Sequence, residues 1–289
     1  MSTAANPAPA FIDTHVHVWD LDGGGPFGVS YPWLGDHLPL LNRTYRLDEL
    51  NPELDAAGVD AIVLVQAADS LAETDELLRV TAGSPRPARV TGWLPLNDAG
   101  ATAAALRARS DADALVAVRH LIHDEPDPEW LLRTDVAAGM QVLADAGLAF
   151  EAVAEREDLL AQVPTVARRH PNLTVVLDHL GKPPLTGDLG RWRELLAAAA
   201  AEPNVVAKLS GLGTVSPQPF SAVDWQDAVD HAVAVFRPDR LMLGGDWPVA
   251  LLAGSYSVTW QAGLDAIAGL DESARAAIRA GTAARVYRF

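Results

Sequence analysis

Short β-branched or apolar runs recur along the chain, and each is followed by an Ala/Leu-rich stretch whose acidic and Arg residues gather on one face. The runs are 11–19 (FIDTHVHVW), 61–67 (AIVLVQA), 89–96 (RVTGWLPL), 115–121 (LVAVRHL), 148–154 (LAFEAVA), 174–180 (TVVLDHL), 205–210 (VVAKLS) and 241–246 (LMLGGD). Helices are predicted between them near 46–57, 71–82, 99–109, 131–145, 156–169, 188–201 and 222–236, with two more near 257–268 and 272–285. Strict alternation of strand and helix implies parallel pairing, because a parallel pair needs a crossover and a helix supplies it. An open doubly wound sheet would alternate in the same way. The eight runs, and the lack of a Gly-rich dinucleotide turn after the first of them, favour a closed (β/α)8 TIM barrel of the α/β class. No linker, charge block or low-complexity segment divides the chain, so 1–289 is expected to form a single domain with 1–9 as a flexible lead. The segment 20–45, with GGGP, YPWL and LPLLNR, is long for a βα loop and is expected to lie over the barrel mouth.

Composition then removes whole classes of chemistry. Lys and Arg number 22 against 38 Asp and Glu, a net charge of −16, which argues against a nucleic-acid partner held through its phosphates. Hydrophobic residues make up 49% of the chain, enough to build a core and unlike a disordered sequence. Cysteine is absent, which excludes disulfides, thiolate metal sites and a cysteine nucleophile. The opening MSTAANPAPA has no basic residue and no apolar core of signal-peptide length, and no later run reaches the roughly 18 apolar residues of a membrane span. The expectation is a soluble, cytoplasmic chain with no membrane partner; a homo-oligomer is left open. There is no G-x-S-x-G elbow, P-loop, H-E-x-x-H or G-x-G-x-x-G after a strand, so hydrolysis by a Ser-His-Asp triad lacks its expected turn.

A barrel of this type works at the carboxyl ends of its strands, and polar residues stand there in order. The first strand ends in His15-Val16-His17, a spacing that puts both imidazoles on one strand face, able to approach one metal or one substrate atom. The same pair also suits two hydrogen-bonded histidines on a half-buried strand. The sixth strand ends in Asp178-His179-Leu180-Gly181-Lys182-Pro183 and the eighth in Gly244-Gly245-Asp246-Trp247-Pro248. An Asp that follows an apolar strand needs hydrogen bonds, a cation or a task. Asp246 as a helix cap and His179 bonded to a loop carbonyl are the plainer alternatives. Of Arg119 and His120, at the end of the fourth strand, alternation lets only one enter the barrel. Arg119 is favoured as the anion or carbonyl anchor, with an outer ion pair as the alternative, and His120 is kept as a substrate-binding candidate. Glu151 suits a metal ligand, a base or the salt-bridge partner of Lys208 equally well. Trp19, Tyr31, Trp33 and Trp247 fall in loops at the same end, and Gln66 closes the second strand; Trp19, Trp33, Gln66 and Trp247 join His120 as substrate-binding candidates, although loop aromatics also serve for packing.

Together, FIDTHVHVWD, VRHLIHDEPDPEW, VVLDHLGKPP and LMLGGDWPVA resemble the amidohydrolase superfamily, and more narrowly its amidohydrolase-2 branch of sugar-lactone hydrolases such as L-fuconolactonases and L-rhamnonolactonases. The likeness runs from Phe11 to the closing GTAARVYRF. It implies a TIM barrel of the metal-dependent-hydrolase type whose HxH pair is His15 and His17, whose sixth-strand histidine is His179 and whose eighth-strand aspartate is Asp246. In similar enzymes that aspartate takes a proton from the attacking water and passes it to the leaving group. Binuclear members use a carboxylated lysine on the fourth strand. This chain has only Lys182 and Lys208, neither of them there, which speaks against a bridged metal pair. The fifth strand offers Glu151 where many single-metal relatives have histidine, and some similar lactonases work without metal.

The resulting expectation is zero or one divalent ion, zinc first, on His15, His17 and Asp246 with Glu151 or His179. The leading reading is hydrolysis of an aldonolactone, a small-molecule sugar lactone, with Asp246 as base and His179 and Arg119 holding the carbonyl. A metal-dependent decarboxylase of the same branch is the first alternative. A dicarboxylate lactonase would need several arginines at the mouth, where only Arg119 and Arg43 are candidates. A non-catalytic barrel that binds a sugar acid ranks last.

Overall fold

The structure, a computed structural model, describes residues 9–22, 25–109 and 112–289; the expected flexible lead lies outside them except for Pro9. Eight parallel strands follow one another in chain order: β1 Ile12–Val16, β2 Ala61–Val65, β3 Ala88–Gly92, β4 Leu115–His120, β5 Ala149–Ala152, β6 Val175–Leu177, β7 Val205–Leu209 and β8 Leu241–Leu243. Each is short, rich in apolar residues and buried almost throughout, as strands covered on both faces must be. The ring closes beyond the end of β8: the Asp246 amide donates to the His15 carbonyl at 2.7 Å and the His17 amide to the Trp247 carbonyl at 2.7 Å. Thr14 adds a hydroxyl bond to the Leu243 carbonyl at 2.8 Å.

Alternation inside the barrel is what builds the site. Ala117, Ala149, Val176 and Val206 belong to the small inner cluster, packed with Val63, Val65, Met242 and Tyr287. Two residues further along the chain stand Arg119, Glu151 and Lys208, still on their strands, and Asp178, the first residue beyond β6. On β1, Ile12 belongs to the inner cluster and His15, three residues on, also faces the barrel; a register irregularity between Asp13 and Val16 absorbs the odd step.

Helices α1 Leu47–Ala56, α2 Leu71–Ala82, α3 Ala99–Arg107 and α4 Thr134–Asp145 lie close to their predicted ranges. The helix expected over 156–169 is two pieces, α5 Glu157–Leu160 and α6 Val163–Arg169, with Pro164 in the first turn of the second, where its missing N–H costs nothing. Then follow α7 Gly190–Ala200, α8 Ala222–Phe236 and α9 Tyr256–Ala266. The last expected helix is interrupted: α10 Glu272–Ala276 and α11 Thr282–Tyr287 flank a π-helical turn over 277–281. The described part of the 20–45 segment reaches the barrel mouth, where the Trp33 indole N–H donates to the Ala67 carbonyl at 2.7 Å; Gly23 and Gly24 lie outside the described residues. No helix among the described residues is long and apolar enough to cross a membrane.

Candidate active site

A cavity of about 190 Å³ opens at the carboxyl ends of the strands, with His17, Arg119, His179, Lys182 and Asp246 on its polar side and Trp19 and Trp33 among its apolar walls. His15 lies beneath it, fully buried, with Nε2 3.1 Å from Nε2 of His17. The Asp246 carboxylate comes within 3.7 Å of Nε2 of His15 and 3.6 Å of Nε2 of His17. His17 is oriented by a bond from Nδ1–H to the Val65 carbonyl at 2.8 Å. His179 is oriented through Nδ1 and the Ser210 hydroxyl at 2.8 Å, which leaves its Nε2 free of that contact.

Two of these side chains sit on strained backbone. After β6 the chain makes a left-handed turn through four consecutive residues, His179, Leu180, Gly181 and Lys182, with φ between 51° and 68°. Asp246 is likewise left-handed, with φ 58°. Such conformations cost roughly 1–3 kcal/mol each for non-glycine residues and persist where the surroundings over-determine them. Here the Trp192 indole N–H holds the Leu180 carbonyl at 2.8 Å. Gly211 on the neighbouring loop leaves the space that His179 fills: a Cβ there would stand 2.5 Å from Nδ1 of His179 and 3.0 Å from Oδ2 of Asp246.

Burial holds the imidazoles of His15, His17 and His179 below their ordinary value, and for His15 the Lys208 ammonium adds to the effect, so all three are neutral near pH 7. Burial pushes the Asp246 carboxyl the other way, but His179, the contact with His17 and the field of His15 outweigh it and keep the group below the usual carboxylate range. Near pH 7 the site therefore presents an ionised carboxylate among neutral imidazoles, free to take a proton but made a weak base by the neighbours that hold its pKa down.

Below this layer lies a second polar cluster. The Lys208 ammonium is 2.6 Å from Glu151, 3.2 Å from Asp178 and 3.2 Å from Nδ1 of His15. Glu151 also accepts from Thr91 at 2.8 Å and from the Tyr287 hydroxyl at 2.5 Å. Arg119 bridges the layers, 3.3 Å from Asp178 and 3.3 Å from Nε2 of His15, with its other amino group donating to the Gln66 carbonyl.

Among the described residues, two triads of ligand atoms are compact enough for a cation, His15–His179–Asp246 above and His15–Glu151–Asp178 below, each within 4.8 Å. The upper one fits a divalent ion: Oδ2 of Asp246 is buried without a hydrogen-bond partner, Oδ1 lies 3.6 Å from Nε2 of His17, and imidazole nitrogen with carboxylate oxygen is a donor set that zinc accepts. The lower triad already surrounds the Lys208 ammonium.

The cavity thus brings together His17, His179, Arg119, Asp246, Trp19 and Trp33 of the expected residues, with His15 beneath them. Five others fall elsewhere. His120 faces outward from β4, stacked on Trp130 at 4.0 Å, receiving the Trp93 indole N–H at 2.9 Å and paired with Glu125 at 2.6 Å, because Arg119 takes the inner face. Trp247 packs edge-on against Tyr45 rather than lining the cavity. Gln66 is buried, its amide N–H donating to Asp69 at 3.0 Å, and its backbone carbonyl anchors Arg119. Glu151 lies below the mouth, ion-paired with Lys208, so it is not grouped with His17 and Asp246. Arg43 pairs with Glu49 and lies over the Tyr45 ring, away from the cavity. Sequence reasoning missed Lys182, His123, Asp124 and Glu155 as cavity residues; all stand within three residues of a motif already singled out.

A (β/α)8 barrel with such a carboxylate and imidazoles at its mouth is the framework of an enzyme acting on a small molecule. The amidohydrolase family model matches residues 12–289, and the chain belongs to that family. It is 36% identical to an L-fucono-1,5-lactonase of Burkholderia multivorans over 96% of this chain and 95% of that protein. A crystal structure of an amidohydrolase from Burkholderia multivorans with bound HEPES superposes with a TM-score of 0.88 at 34% identity, covering 96% of this chain and 99% of that one. A second crystal form with bound zinc gives 0.85 at the same 34% identity and coverage of 96% and 99%.

Proposed function

We propose that this chain, acting over 1–289 as one barrel unit, hydrolyses a sugar-derived lactone, an aldonolactone of the L-fucono-1,5-lactone type. The observation that carries the reading is Asp246: buried and ionised at the cavity floor, with Oδ1 facing the imidazoles of His15 and His17 at 3.7 and 3.6 Å and Oδ2 lacking a hydrogen-bond partner. Likeness to the curated lactonase supports the substrate class.

In this reading Asp246 accepts a proton from water as the water oxygen attacks the lactone carbonyl carbon. The ring C–O bond then breaks, and Asp246 returns the proton to the departing alkoxide, leaving an open-chain hydroxy acid. His179 and Arg119 stabilise the charge that develops on the carbonyl oxygen, and Asp178 and the Gln66 carbonyl hold Arg119 in place for it. Trp19 and Trp33 give the sugar ring apolar walls, and Lys182 offers a cation to its hydroxyls or to the product carboxylate. A divalent ion, zinc by the donor set, would be held by His15, His17 and Asp246, with Nε2 of His179 as a fourth ligand in place of its contact with the carbonyl oxygen, and would supply Lewis acidity at the carbonyl.

The test is a pH-indicator assay of purified protein on a panel of 1,4- and 1,5-aldonolactones. Acid release well above the spontaneous rate on at least one lactone is expected. Failure on the whole panel, with carbon dioxide released from an aromatic carboxylic acid, would replace this reading with the decarboxylase.

A further inference from the structure

The chemistry above uses only Asp178 of the lower polar cluster, as a support for Arg119, yet the cluster shares His15 with the site. Its geometry resembles a cation seat, and the cation in it is covalently attached: the Lys208 ammonium is fully buried between Glu151 at 2.6 Å and Asp178 at 3.2 Å. Lysine carries only donors, so its 3.2 Å contact with Nδ1 of His15 asks that nitrogen to accept. The contacts above agree. His17 donates from Nδ1 to the Val65 carbonyl, which leaves Nε2 of neutral His17 as an acceptor facing Nε2 of His15 at 3.1 Å. Nε2 of His15 must then carry the proton. Arg119 is the one opposing contact, since its terminal nitrogen carries two N–H and lies 3.3 Å from both Oδ2 of Asp178 and Nε2 of His15; the shorter 3.1 Å contact with His17 is the one that places the proton on Nε2. A relay of three donors therefore runs from Lys208 through His15 and His17 to the Val65 carbonyl.

We infer that Lys208 acts as a resident monocation that sets how tightly the active site holds a divalent ion. It fills the lower donor cluster, which limits the centre to one ion, and it favours the His15 tautomer whose Nε2 proton blocks coordination. To bind an ion, His15 must move its proton to Nδ1, where Oδ1 of Asp178 stands 3.5 Å away, itself 3.2 Å from the Lys208 ammonium. Lys208 competes with that arrangement by contact and by charge. The inference rests on reading His15, His17, His179 and Asp246 as the cation seat proposed above.

Zinc affinity of the full-length protein, measured by competition with a chromophoric chelator and without substrate, tests it. Lys208→Met is expected to bind zinc roughly ten- to a hundred-fold more tightly than the parent, the usual range for partners that tune a ligand. Since Lys208→Met strips two buried carboxylates of their cation and can fail to fold, Lys208→Met/Glu151→Gln removes one charge of each sign and should also bind more tightly. Nitrogen-15 NMR of the metal-free protein should show His15 protonated at Nε2 in the parent and shifted toward Nδ1 in the variants. Equal or weaker zinc binding by the folded variants, or an Nδ1-protonated His15 in the parent, would overturn the assignment. Because no lactone enters these measurements, their failure leaves the lactonase reading intact, and a lack of lactone turnover leaves the zinc result intact.

Discussion

Gly211 shows how tightly the site constrains its smallest member. Its φ of 63° and the 2.5 Å separation its Cβ would have from His179 mean that Gly211→Ala must displace the imidazole from Ser210 or distort the loop. We expect kcat to fall by about a hundredfold, the effect of a misplacement of roughly 1 Å, with thermal stability reduced by no more than a few kcal/mol. A kcat equal to that of the parent would show that the placement of His179 does not matter. Neither Gly211 nor the left-handed backbone at His179 and Asp246 could be read from the sequence, since both arise from crowding between β6, β7 and β8 that no single segment encodes. His15, His17, His179 and Asp246 were legible because each sits at a strand end, where apolar alternation gives way to polar residues. His120 was not: a parallel strand buried on both faces gives no pattern that says which of two adjacent polar residues turns inward.

Among the elements, α2 links helix capping to the cavity wall. Ser70 caps it by accepting the Glu73 amide at 3.1 Å, and the buried Glu73 carboxyl accepts the Ala67 and Ala68 amides at 2.9 and 2.5 Å. The Ala67 carbonyl in turn receives Trp33, so the carboxyl supports the turn that holds one cavity wall. Burial pushes Glu73 up to about 8, against 4.5 for the ordinary side chain. The folded chain thus keeps a proton between these values that the unfolded chain gives up, and stability falls as pH rises through that window. Below pH 6.5 the buried histidines act in the opposite direction, since the unfolded chain protonates them more readily. The clean interval is therefore about pH 6.5 to 8. Chemical denaturation should show stability falling by on the order of 1–2 kcal/mol across it in the parent. Glu73→Gln should flatten that slope; an unchanged slope would place the titration elsewhere. The sequence marked the start of this helix but not the task of its third residue, because Glu73 reads equally well as a solvated helix-face acid.

For the molecule as a whole, strand–helix alternation was enough to give the barrel, since eight parallel strands with helical crossovers satisfy their backbone bonds in few other ways. The Glu151–Lys208 pair was among the readings the sequence allowed, but the short β8, closed through Asp246 and Trp247 instead of a long ladder, and the entry of Asp178 and His15 into that buried cluster were out of reach, because both depend on elements distant in sequence meeting in space. The barrel converts that long-range order into one ionised carboxylate at the mouth, and the proposed activity stands or falls with it. Asp246→Asn keeps the size and shape of the side chain while removing its capacity to take a proton. The measurement is therefore the initial rate of 1,5-aldonolactone opening by the parent and by Asp246→Asn, each checked for native circular dichroism. A loss of about 10²–10⁴-fold in kcat with the fold intact is the predicted result; an Asn variant that opens the lactone at the parental rate would contradict it.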